Sequence, residues 1–112
     1  MKYSMFIGRW QPWHTGHRWL IDQRLNEDKN VLICIRDMKT DKNNPYTAEE
    51  VKINLEKELK DLVYHRKVKV IIIPDIESIN YGRGVGYDII EHIPPKDIDK
   101  ISATKIRKKL FK

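Results

Sequence analysis

Cysteine is nearly missing from this 112-residue chain, in which Cys34 is the only one. A lone thiol makes neither an internal disulfide nor a CxxC metal site. Cys34 lies inside the apolar run 31–35 and reads as a buried strand residue. Long apolar runs are also lacking, which excludes a helix of the roughly 20 apolar residues needed to span a bilayer. Met1-Lys2 leads straight into an apolar run without the pattern of a signal peptide, so the expectation is a cytoplasmic protein with no membrane partner. Acids are outnumbered, 16 against 22 Lys plus Arg, for a net charge of +6. That surplus suits an anionic ligand, either a polyphosphate nucleotide or a nucleic acid. No internal repeat, low-complexity tract or linker is present. At this length the chain has room for one domain, residues 1–112, and one core.

What is present alternates between strand and helix patterns. Residues 3–7 form a short apolar run stopped by Gly8, and residues 31–35 and, apart from Lys69, 68–73 are apolar runs of the kind that suits buried parallel strands. Between the first two, Thr15 and Gly16 occupy an N-cap position. From His17 to Leu25, the residues Trp19, Leu20, Ile21 and Leu25 fall at roughly helical spacing, with Trp19 expected in the core. Thr47-Ala48-Glu49-Glu50 is a capping box that opens a helix to about Tyr64, with Val51, Leu55, Leu59 and Leu62 facing inward. This βαβαβ order predicts an α/β fold with a parallel, doubly wound sheet. Ligands of such sheets bind where the strands end, and Gly8, Asp37 and Asp75 fall at or just beyond three strand ends. Residues 76–101 are broken by Gly82, Gly84, Gly86, Pro94 and Pro95, so a loop and a short helix or strand near 87–92 are expected there.

GRWQPWHTGH, residues 8–17, places His14 and His17 at a helix N-terminus, where unpaired N–H groups and the helix dipole favour an anion. Two imidazoles add directional donors for phosphate oxygens, and Gly16 between them has no Cβ to block a ligand approaching the backbone. Two histidines do not complete a zinc site, which wants three or four protein ligands, so no zinc site is expected and no residue is assigned as a metal ligand. The last twelve residues, ISATKIRKKLFK, hold five basic residues and no acid. Ser102 there stands as an N-cap, with Thr104 and Arg107 within the next turns. GRGVG at 82–86 is not GxGxxG, because Tyr87 stands at the third glycine position. It reads as a surface loop or as a stretch whose backbone approaches a nucleotide while Arg83 pairs with a phosphate.

The motifs resemble a known family. HTGH is similar to the HxGH motif of nucleotidyltransferases that share the HIGH-superfamily fold with class I aminoacyl-tRNA synthetases. ISATKIR resembles their second motif, ISxTxxR, which closes over a triphosphate. GRWQPWHTGH is closest to the GRFQPxHxGH form of archaeal-type nicotinamide mononucleotide adenylyltransferases; NPYTAEE at 44–50 is similar to their NPFTxxER, and the PDI at 74–76 to theirs. The resemblance spans residues 3–107 and implies a single Rossmann-like domain that uses a nucleoside triphosphate with Mg²⁺, transfers the nucleotidyl group to a small phosphorylated acceptor and releases pyrophosphate. It implies His17 as main donor to the α-phosphate with His14 beside it, and a phosphate-binding lysine after the second strand, Lys39 ahead of Lys42. Around the nucleotide it groups Gly8, Arg9, Gln11, Gly16, Ser102 and Thr104, with Arg107 as a catalytic cation; Arg9 reads equally as a surface ion pair. ATP is favoured over CTP, the cytidylyltransferases of the same fold being the alternative. The match fails between Glu77 and Gly86, where the resembled enzymes carry a Trp-containing acceptor-binding stretch. The chain is also shorter than most relatives, so a homo-oligomer in which another subunit supplies the C-terminal elements fits the reading. A basic nucleic-acid-binding module is the rival from another class, disfavoured because these basic residues flank a phosphate site instead of forming a stripe. A nucleotide sensor without turnover is a further rival, against which HTGH and ISATKIR both stand.

Overall fold

The computed structural model describes residues 1–99, so Ser102, Thr104 and Arg107 lie outside the described residues. Three strands form one parallel sheet in the order β1-β2-β3: β1 Tyr3–Gly8, β2 Asn30–Asp37 and β3 Val68–Pro74. Parallel neighbours cannot be joined by a tight turn, so each connection crosses over through a helix. The first is α1, Thr15–Leu25, and the second a pair, α2 Ala48–Glu58 and α3 Lys60–Tyr64; α4, Lys96–Asp99, follows β3 after a long irregular stretch. The parallel α/β expectation holds.

Strand pairing aligns Gly8 with Ile35 and Asp37 with Pro74, so all three strands end at one edge of the sheet. Alternate residues share a face. Val31, Ile33 and Ile35 of β2 lie beside Val68 and Val70 of β3, and these five join Ile21 of α1, Val51 and Leu55 of α2 and Leu59 just after it in one buried cluster. Helices α1 and α2 therefore press on the same face. Elements for the second face of a doubly wound sheet are not among those the described residues form. Cys34, which points to that second face, is buried as expected, and burial raises its thiol above the ordinary value.

Three local expectations are revised. Helix α1 begins at Thr15 with His14 as N-cap, not with Thr15 or Gly16 in that role. Trp19 is half-buried and outside the core cluster. The inward stripe of α1 is His17, Ile21 and Leu25 at i, i+4, i+8, and Trp19 stands two residues from Ile21, about 200° around the helix. The long helix to Tyr64 is interrupted at Leu59 (φ −111°, ψ 25°), which ends α2 and precedes α3 while its side chain stays in the core. Thr47 caps α2 as read, with Thr47 Oγ1 accepting from Glu50 N at 3.1 Å and Glu50 Oε1 accepting from Thr47 N at 3.1 Å.

Residues 87–92 form neither helix nor strand. Gly84 and Gly86 both adopt φ +76°, a left-handed conformation that breaks regular structure, and Ile89 and Ile90 are exposed, so no buried face rewards a fixed geometry there.

Candidate active site

The loop between β1 and α1 is built around Trp10. Its backbone is left-handed (φ 55°), a conformation that non-glycine residues adopt at a cost of about 1–2 kcal/mol. The indole compensates: it is 5% exposed, joins the core cluster, and donates Nε1–H to the Cys34 carbonyl at 3.1 Å. Gly8 makes room for it, since a Cβ at Gly8 would stand 3.0 Å from Trp10 Cε2. The glycine that ends β1 thus serves the tryptophan two residues on.

This anchored loop delivers the histidines. His14 has extended backbone (φ −146°, ψ 177°), and its Nδ1 accepts from Gly16 N at 3.0 Å and His17 N at 3.4 Å. His17 Nδ1 accepts in return from His14 N at 3.3 Å. The pair is a capping box made of imidazoles in place of the usual Ser/Thr and Glu/Gln. The reading that backbone N–H groups stand open to an anion here is corrected for Gly16 and His17, whose N–H groups are taken by His14.

An acceptor role at Nδ1 places the ring proton on Nε2, so both histidines hold an N–H donor on the edge away from the cap. The rings stack at 3.7 Å between centroids and 20° between planes. Trp10 meets His17 edge-on at 4.9 Å and Trp13 packs on it at 5.3 Å. Burial among these rings, and secondarily the neighbouring His14, lowers the His17 pKa to about 3; burial lowers His14 as well. At neutral pH the pair is uncharged. Two stacked imidazolium ions would repel, whereas two neutral rings hold two donors side by side, suited to charge that develops on an oxygen.

The loop from β2 to α2 comes next to this one. Gln11 is 6% exposed, donates Nε2–H to the Tyr46 carbonyl at 2.8 Å and accepts from Tyr46 N at 2.9 Å. Asp41 organises the same loop, its Oδ1 accepting from Asn43 N at 2.8 Å, Asn44 N at 2.7 Å and Asn44 Nδ2 at 3.1 Å. Those bonds, led by the one from Asn44, and the nearby Arg9 charge hold the Asp41 carboxyl below its usual range. Asn44 is 2% exposed, and its buried Oδ1 has no hydrogen-bond partner among the described residues. Trp10, Pro12 and Tyr46 line a cleft of about 270 Å³ with Glu50, Val51 and Asn54. The sequence reading missed Asp41 and Asn44; the Asp-x-Asn-Asn-Pro turn signature carries that information.

At the third strand end, Arg36 Nε donates to Asp75 Oδ1 at 2.9 Å and Arg36 Nη2 donates to the Ile76 carbonyl at 3.1 Å. The PDI segment is thus tied to β2. Arg9, Lys39, Lys42 and Arg83 are all exposed. Arg9 and the two lysines belong to the two adjoining loops; Arg83 sits in the open glycine loop, where Gly82 and Gly84 have nothing within 4 Å of an added Cβ. Among the described residues, no three His, Cys, Asp or Glu side chains gather into a metal site, and no helix is long and apolar enough to cross a membrane.

No family model matches the chain. Curated proteins do. It is 35% identical over 111 residues to the nicotinamide-nucleotide adenylyltransferase of Methanococcus aeolicus, covering 96% of this chain and 60% of that protein. The enzyme of the same name from Methanocorpusculum labreanum is 32% identical over 99 residues, covering 87% of this chain and 56% of its own length. That from Thermoplasma acidophilum is 29% identical over 98 residues, covering 85% and 51%. The chain thus spans between half and three-fifths of these relatives. Over nearly all of its own length it is similar to the archaeal nicotinamide-nucleotide adenylyltransferases, the enzymes its motifs resemble.

Proposed function

We propose that this chain transfers the adenylyl group of ATP to a small phosphorylated acceptor, with release of pyrophosphate. The names of the relatives make nicotinamide mononucleotide the acceptor to try first. The observation that carries the reading is the stacked, neutral histidine pair at the strand-end edge of the sheet, each ring with its proton on Nε2. In adenylyl transfer an acceptor phosphate oxygen bonds to the α-phosphorus, the bond to the bridging oxygen of pyrophosphate breaks, and negative charge grows on the α-phosphate and the leaving group. No covalent enzyme intermediate is needed, so positioning and charge stabilisation suffice. His17 is the main donor to the α-phosphate in this proposal, with His14 beside it. Arg9 and Lys39, with Lys42 as the alternative lysine, meet the β- and γ-phosphates, and Ser102, Thr104 and Arg107 complete the triphosphate site. Mg²⁺ enters this proposal with the nucleotide, where it neutralises phosphate charge. A cytoplasmic setting accords with these substrates.

The test is calorimetric binding of ATP and of CTP with Mg²⁺, followed by pyrophosphate release with nicotinamide mononucleotide, in the natural chain and in His17→Ala. ATP is expected to bind in preference to CTP. His17→Ala is expected to lower kcat by about 10²–10³, the usual cost of one preorganised donor. Preference for CTP would move the assignment to the cytidylyltransferases, and oligonucleotide binding with steep salt dependence but no nucleotide binding would replace it with a basic nucleic-acid module.

A further inference from the structure

We infer that Gln11 is a positioning residue, whose side-chain amide sets the β2–α2 loop, with Lys39 and Lys42, in fixed register with the loop that delivers His14 and His17. The first loop is anchored to the sheet by the Trp10 Nε1–H bond to the Cys34 carbonyl on β2. The second loop turns on Asp41 and Asn44 and enters α2 through Thr47. Between them, the Gln11 amide reads both backbone groups of Tyr46, carbonyl and N–H, at 2.8 and 2.9 Å. A primary amide is the neutral side-chain group that donates to one and accepts from the other in a single plane. Gln11 is also 6% exposed, so leaving those backbone groups unpaired would be costly. Glutamate keeps the shape but presents a second oxygen to the Tyr46 carbonyl, and methionine keeps the bulk without either bond. A phosphate site split between two loops needs such a tie, because neither histidine nor either lysine is in a sheet strand.

The inference rests on the adenylyltransferase reading for its functional half and on geometry alone for its structural half, and the two are read separately. Tyr46 amide exchange is measured in the natural chain, Gln11→Met and Gln11→Glu. It is expected to rise about tenfold or more in Gln11→Met, which removes the acceptor of the Tyr46 N–H, and less in Gln11→Glu, whose oxygen still accepts from it, while amides in β2 stay protected. The kcat/KM for ATP is then measured for Gln11→Met alone, for Lys39→Ala with Lys42→Ala, and for all three changes combined. The Gln11 change is expected to cost about tenfold in the natural background and less than about threefold once the lysines are gone, since a positioning residue loses its effect with the groups it positions. Unchanged Tyr46 exchange would overturn the clamp, and fully additive losses would reduce Gln11 to general support of the fold. A natural chain without turnover would defeat the adenylyltransferase reading only, and the clamp would then be judged by exchange.

Discussion

His14 carries two tasks on one ring: Nδ1 caps α1 and Nε2 holds a donor. The two are separable by substitution. Asparagine is a good N-cap and can keep the bonds to Gly16 and His17 while removing the Nε2–H, so His14→Asn is expected to melt within about 2 °C of the natural chain and, under the proposed function, to lose most of the adenylyl transfer. His14→Ala removes both and should cost about 1 kcal/mol of stability as well. Equal loss of stability in the two variants, followed by thermal melting, would show that capping is not what the Nδ1 bonds provide. Gln11 makes a similar point. As a letter in a motif it reads as part of a nucleotide loop, and only the folded chain shows its amide facing Tyr46, thirty-five residues on.

Among the elements, α2 is the most locally specified. Thr47 and Glu50 form a reciprocal cap, Glu49 and Glu50 place negative charge at the positive end of the dipole, and Val51, Leu55 and Leu59 recur every four residues on the buried side. Thr47→Ala is expected to destabilise the fold by about 1 kcal/mol, read as a lower urea midpoint at an unchanged slope. A change in slope would instead mean that the cap also orders the denatured chain. Helix α1 is less predictable because its cap is made of histidines, which do not head the usual list of N-cap residues. Its N-cap lies one or two residues ahead of the Thr15 or Gly16 that composition favours for that role. The break at Leu59 lies on a continuous apolar stripe and leaves no mark in the spacing, whereas 87–92 forms no regular element because its Ile89 and Ile90 stay exposed and have no face to bury.

For the whole molecule, the neutral histidine pair links folding to pH. In the unfolded chain both imidazoles bind a proton near their ordinary value of 6.5, while in the folded chain His17 stays neutral until about pH 3 and His14 is lowered in the same sense. Between those limits the unfolded state binds more protons, so stability rises with pH through the window and levels off above about 6.5. The urea midpoint is expected to be flat from pH 8 to 7 and to fall steadily toward pH 4. A His17 resonance titrating near 6.5 by NMR, or a midpoint independent of pH, would contradict the buried neutral pair.

The amino-acid sequence by itself determined the strands, the order βαβαβ, the cap of α2 and the two histidines at the head of α1. Each of these depends on residues close in the chain, where periodicity and capping chemistry act. Only the tertiary structure decided that the histidines stack uncharged, that Gly8 exists for the Trp10 ring, and that Gln11 ties two loops together. Those facts depend on burial and on partners two to thirty-five residues apart, and burial is a property of the packed chain. A sequence lists donors and acceptors, but folding chooses which of them meet.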